Sequence, residues 1–239
     1  MQPGHGSAKA WVSHLDMIKH IVASGLSTAL ILEDDVDWDI NIKEQMSLIS
    51  DSIRNLTLTP DTDQSPFGYE WDVLWLGHCG EIVDEDSRLY IEYRDDSTID
   101  ASLYSGWSKP LGIDKIQPQH RRIQSAAVPV CSFGFAVTAI GAQKVSLALG
   151  KGADEAFDVA LQHQCRHGTL RCITINPEIM HHYEPPREEG YISPVREGDG
   201  HGHSTPDNRF EHLQGATANV VKSARCRALF NMSCLTVVA

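Results

Sequence analysis

The sequence predicts an α/β protein, a mixed sheet flanked by helices, on three observations. Short apolar runs of strand length recur along the chain, as in TALILE (28–33), WDVLWLG (71–77) and LRCITI (170–175). Between them lie segments whose apolar residues recur at steps of three and four, the helical period. The 239 residues are 41% hydrophobic and 22% charged, enough apolar material for one sizeable core. Alternation of the two element types gives a layered α/β architecture.

Taken in order, residues 8–24 read as a helix, with Trp11, Leu15, Ile18 and Val22 on one stripe and Gly25 as the stop. The run 28–33 shows no alternation, which predicts a central strand covered on both faces. A second helix is expected over 40–54, with Ile42, Met46, Ile49 and Ile53 on one side, and 57–69 has loop composition. Strands are expected at 71–77, 88–93, 130–139 and 170–175, and helices at 141–150 and 153–166. Residues 95–125 give no firm pattern. Between 184 and 210 the chain turns rich in Pro, Gly, Glu and His, the composition of a mobile tail or an active-site loop, and 211–230 reads as a last helix. The domain reading is thus one α/β unit over 1–186, then a Pro/Gly/His-rich loop and helical tail over 187–239.

The formal net charge of −12 argues against a nucleic-acid surface, which is usually basic. No run of 18 apolar residues is present, so no membrane-spanning helix is expected, and the first 20 residues lack the pattern of a signal peptide. None of the six cysteines forms a CxxC pair, which disfavours a zinc knuckle, and their spacing leaves disulfides open. Sequons occur at Asn55 and Asn231 and bear on the chain only in a secretory compartment.

The stretch ALILEDDVDWD (29–39) carries the chemistry. An apolar run ends in Glu33, Asp34 and Asp35, with Asp37 and Asp39 close behind. Like charges so close repel, so a positive partner is needed. Ligands of open α/β sheets gather beyond strand carboxyl ends, and an extended chain would turn Glu33, Asp35 and Asp37 to one side and Asp34 to the other. Such a set invites a hard divalent cation; the bland alternative is a solvated acidic loop.

GHGSAKAWVSHLDMIKHIVASGLSTALILEDDVDWD resembles the core of glycosyltransferase family 25, which includes lipopolysaccharide and collagen galactosyltransferases and a large fungal branch. Ser13-His14, Leu32-Glu33-Asp34-Asp35, the stretch Trp71 to Gly80, the stretch Cys131 to Thr138, Gly141 to Lys144, Phe157 to Leu161 and His181-His182 carry the resemblance in order, over roughly residues 4–186. It is closest to the fungal branch. The resemblance implies a GT-A-like (Rossmann-like) fold, a nucleotide-sugar donor such as a UDP-hexose, and Mn²⁺ or Mg²⁺ as cofactor. By the same resemblance Asp35 and Glu33 would hold the metal with His181, and Asp34 or Glu33 would touch the donor's ribose. His14, Gly77 and His78 would line the donor pocket, and Asp158, with Glu155 second, would be the base of an inverting transfer to a glycan or glycoprotein hydroxyl. Family members act in secretory compartments such as the Golgi lumen. They carry upstream sequence with a first strand, so the resemblance implies that this strand is missing here and one sheet edge is open. A non-catalytic relative that binds sugar, or a metal-dependent hydrolase, are the alternatives.

Other groups have plainer readings. At most one of His181 and His182 would face the site, since neighbours in an extended segment point opposite ways. Trp71 and Trp75 read as core, and Trp107 as a freer candidate for stacking on a sugar. Arg121-Arg122 and the His201/His203 loop read as solvated.

Overall fold

A computed structural model of the chain describes residues 3–83, 89–186, 190–204 and 212–235. The central strand is β3 (Val73–Gly77), every residue of which is buried. Its alternate side chains divide the core. Val73 and Trp75 face one layer with α1 (His5–Ser24), α3 (Ala139–Leu149) and α4 (Phe157–Arg166). Leu74 and Leu76 face the other with Ile49 and Ile53 of α2 (Ile42–Leu56). Two-sided burial explains why this stretch is apolar without alternation.

β3 pairs antiparallel with β6 (Gly134–Thr138) and parallel with β7 (Cys172–Asn176). β6 carries β1 (Thr28–Leu32), and β7 carries β5 (His120–Ser125), which carries β4 (Tyr90–Arg94). The path is therefore β1-β6-β3-β7-β5-β4. A second arm leaves β3 at Gly77, where β8 (Met180–Glu184) pairs β3 through Met180 and carries β2 (Val36–Trp38) and β9 (Ala216–Thr217). The protein is mixed α/β, with a largely antiparallel open sheet between helices, as the alternating elements predict.

Several local readings are corrected. β1 is not central: it lies at the open end of the path, pairs among the described residues only with β6, and leaves Leu30 and Leu32 exposed while Ile31 is buried. An apolar run reports burial of its residues but not the number of flanking strands. On α1 the inward positions are Trp11, His14, Leu15, Ile18 and Ile21, with Val22 exposed, because a straight helix drifts off a fixed seven-residue step. α4 begins at Phe157, so Glu155 precedes the helix instead of sharing a face with Asp158. Arg88, where a strand was expected to start, lies outside the described residues, as does Glu211 at the start of the expected last helix.

Arg121 and Arg122 are buried instead of solvated. They sit in β5, a strand within the unassigned 95–125 region, and alternate to opposite faces. Arg121 Nε lies 2.6 Å from Asp95 Oδ2, and Arg121 Nη1 donates to the Pro177 and Glu178 carbonyls. Arg122 binds Glu92 at 2.6 Å and covers the Tyr90 ring.

The described residues after 186 are tied to the body. α5 (Pro194–Gly198) packs on α1, and Ser7 hydrogen-bonds Asp199. The last helix is the short α6 (Ala224–Phe230). Asp37 accepts hydrogen bonds from Thr217 Oγ1, Ser223 Oγ, Arg225 N and Trp38 N, and Asp39 from Lys222 N and Asn41 N. All six cysteines are paired, as Cys79–Cys131, Cys165–Cys172 and Cys226–Cys234.

Candidate functional site

The five acids that follow β1 do not share one task. Asp34 and Asp35 form a turn between β1 and β2, closed by Val36 N donating to Glu33 O, so the side-chain alternation of an extended chain does not apply. Glu33, Asp34 and Asp35 all line one cavity of about 820 Å³, whereas Asp37 and Asp39 are buried against the carboxy-terminal segment. The expectation that Asp37 would join Glu33 and Asp35 is corrected accordingly. Backbone and hydroxyl donors answer the charges of Asp37 and Asp39.

Glu33 is held from α1 and from the turn ahead of β6. Ser132 Oγ donates to Glu33 Oε1 at 2.9 Å, and His14 Nε2 is 3.6 Å from the same oxygen. His14 is stacked on Phe157 at 4.4 Å and lines the cavity. Its place on the inner stripe of α1 makes this position a fixed one.

Asp35 is less well answered. Its Oδ1 is buried and has no hydrogen-bond partner among the described residues. Burial, then the neighbouring Glu33 charge, raises its carboxyl from 3.8 to about 6, with His182 working in the opposite direction. A buried oxygen of this kind needs a proton or a cation. The same cavity is also lined by Arg196 of α5, His201 and Tyr191.

His181 and His182 lie in β8, not in a loop, and β2 pairs with them, Val36 opposite His182 and Asp37 opposite His181. Their rings pack on Phe133 at 4.8 and 4.6 Å. Only His182 reaches the cavity of the acidic turn. His181 is 7% exposed, with Nε2 at 3.8 Å from the buried Glu178, and burial lowers its pKa to about 4. Of the two histidines, it is His182 and not the expected His181 that shares a cavity with Glu33 and Asp35. His182 Nε2 is 2.8 Å from Glu184 Oε1, two residues on along the same strand face.

A second cavity, about 740 Å³, lies beyond β8 and is also lined by Cys79, His182, Glu184 and Pro185. The two cavities thus share a wall, braced by the Cys79–Cys131 disulfide.

Other predicted site residues lie elsewhere. Gly77 and His78 line neither cavity. A Cβ at Gly77 would come within 2.9 Å of Met180 O, so this glycine lets β3 and β8 approach. His78 is fully buried, 2.9 Å from Ile175 O, and burial lowers its pKa to about 4. Asp158 Oδ2 accepts from Cys131 N at 2.7 Å, and Glu155 lies 3.3 Å from His163; neither acid lines a described cavity.

Sequence reasoning missed Arg196 and Tyr191, which lie in the segment read as loop or tail, treated His201 as solvated, and passed over Glu184. The signal for Glu184 was the alternation Met180, His182, Glu184, legible once β8 is a strand. Among the described residues no group of three or more His, Cys, Asp or Glu is arranged to hold a metal ion. The sequence matches no model of a known protein family, and no curated protein matches it significantly.

Proposed function

We propose that the chain is a metal-dependent glycosyltransferase with a GT-A-like fold, moving a hexosyl group from a UDP-sugar to a carbohydrate or glycoprotein hydroxyl with inversion. The observation that carries this reading is the buried, unpartnered Asp35 Oδ1 beside Glu33 and Asp34 in a cavity of ligand size. Such a site is short of positive charge. Glu33 and Asp35 fit Mn²⁺ or Mg²⁺, since Mg²⁺ bound with a nucleotide usually takes only one or two protein carboxylates. A bound divalent cation would stabilise charge on the departing diphosphate. Arg196, which lines the same cavity, would supply a positive charge for the same phosphates. His14 and Ser132 orient Glu33.

For the acceptor, His182 is the group placed to take the hydroxyl proton, because it faces both cavities and Glu184 orients its ring. Asp158, tied to Cys131 N, serves this reading as the residue that holds the Cys131 backbone. Three disulfides support a secretory compartment such as the Golgi lumen, where such bridges persist.

Calorimetric titration with UDP, with and without Mn²⁺, tests the proposal. Binding should strengthen at least about tenfold with the cation and lose that gain in Asp35→Asn. Equal UDP affinity in all three conditions overturns it.

A further inference from the structure

We infer that the second cavity is a subsite for a neutral saccharide, the acceptor, with Trp107 as its stacking platform; this rests on the reading of the first cavity as the donor site. Trp107 is 64% exposed although its indole is the largest apolar group lining that cavity. Its mounting is rigid. Trp107 N donates to Cys79 O at 2.9 Å, and Cys79 is bridged to Cys131. One residue on, Ser108 Oγ accepts from Glu81 N at 2.8 Å. Two residues back, Asn219 clasps Ser105 on both sides, accepting from its N–H at 2.8 Å and donating to its carbonyl at 2.7 Å. The backbone that carries the exposed indole is thus already ordered, so a ligand that covers the ring does not have to order the loop first.

The lining selects the ligand's chemistry. Among the described residues the cavity has no Lys or Arg, so it offers a phosphate no cationic side chain. Its polar groups are Ser105, Gln214, Glu184 and the two histidines, donors and acceptors suited to hydroxyls. A flat apolar face beside several such groups matches a pyranose ring, which has an apolar C–H face and a hydroxyl rim. The volume, about 740 Å³, lies within the range of small-molecule sites. The shared wall of His182 and Glu184 places a hydroxyl of a sugar bound there next to the first cavity.

The test is a two-dimensional amide and indole NMR titration of the whole chain. One arm uses methyl β-D-galactopyranoside and methyl β-D-glucopyranoside, the other UDP with Mg²⁺. The inference expects a glycoside to shift the Trp107 indole signal and the amides of 105–107 and 214–218. It also expects Trp107→Ala to weaken that binding by about tenfold and Trp107→Tyr to retain part of it. Trp107 is exposed, so both variants should keep the remaining spectrum. No glycoside shift there, while UDP with Mg²⁺ shifts 33–35, overturns the subsite and leaves the donor reading standing. UDP shifts centred on Trp107 overturn the subsite too, by giving the cavity to the nucleotide. No shift at 33–35 in the UDP arm counts against the donor reading itself.

Discussion

Asp37 and Thr217 are 180 positions apart in the chain and 2.6 Å apart in space, joined by a buried hydroxyl-to-carboxylate hydrogen bond. The same carboxylate receives Ser223 Oγ, Arg225 N and Trp38 N. Asp37→Ala would leave these donors buried without an acceptor. The expected loss is about 3 kcal/mol in urea denaturation, with faster proteolysis of the carboxy-terminal segment. Asp37→Asn, which keeps an acceptor oxygen, should lose less.

Arg121→Met should cost about 3–5 kcal/mol, because it leaves the Asp95 charge buried and unpaired. The double variant Arg121→Met/Asp95→Leu should recover most of that loss. Denaturant midpoints of the two singles and the double give the coupling directly.

Stability should fall on the acid side in two stages. Burial holds His78 neutral in the fold down to about pH 4, whereas the unfolded chain protonates it below about 6.5. Its contribution is therefore lost as pH drops through that window, by up to about 1.4 kcal/mol per pH unit. Burial alone would raise Asp72, but the Arg171 N–H and the Lys144 and Arg171 side chains outweigh it and hold its pKa below 3.8. That contribution is present at neutral pH and disappears at lower pH, as the carboxylate protonates. Asp35 has the opposite sign: its raised carboxyl makes the fold bind the extra proton between 3.8 and about 6. Asp35→Asn should therefore steepen the acid loss, as measured by thermal unfolding across pH.

The same Asp35→Asn change should stabilise the cation-free protein at pH 7.5 by about 1 kcal/mol, since it removes a charge that burial and Glu33 disfavour. Thermal unfolding in a chelator measures it.

Cys79→Ser/Cys131→Ser should lower stability by about 4 kcal/mol, given the sequence separation of 52. Reductant, which opens all three bridges, should bring the unaltered chain and the variant to about the same stability, and this checks that the bridge is the cause. The loss of UDP or glycoside binding should exceed that seen for Cys226→Ser/Cys234→Ser, because only the first bridge braces both cavities.

The parts of the fold legible in sequence were those whose pattern depends on local burial. β3 with Trp75, and Trp71 just before it, read as core and are core, at 1% and 0% exposure for Trp71 and Trp75. β1 was harder, because Leu30 and Leu32 look the same in sequence whether a further strand lies beside them or not. Arg121 and Arg122 read as a solvated pair because their partners, Asp95 and Glu92, come from a neighbouring strand and its turn. The acidic turn itself was plain in the sequence, but its division into cavity-facing and tail-binding acids was not. That division depends on Thr217, Ser223 and Arg225, which no spacing rule connects to residue 37. β8 was hidden because its histidines dilute the apolar signal on which strand recognition depends.

The pairing of β2 with β8 sets which imidazole meets the acids. A slip of one residue along β8 would exchange His181 for His182, turning His181 to the face that now carries His182 and His182 to the buried side. The index pin against that slip is Asp37, opposite His181 and anchored by the far end of the chain. Damage to the distal anchor would therefore surface first as altered chemistry in an otherwise folded molecule, a misaligned key before a broken lock.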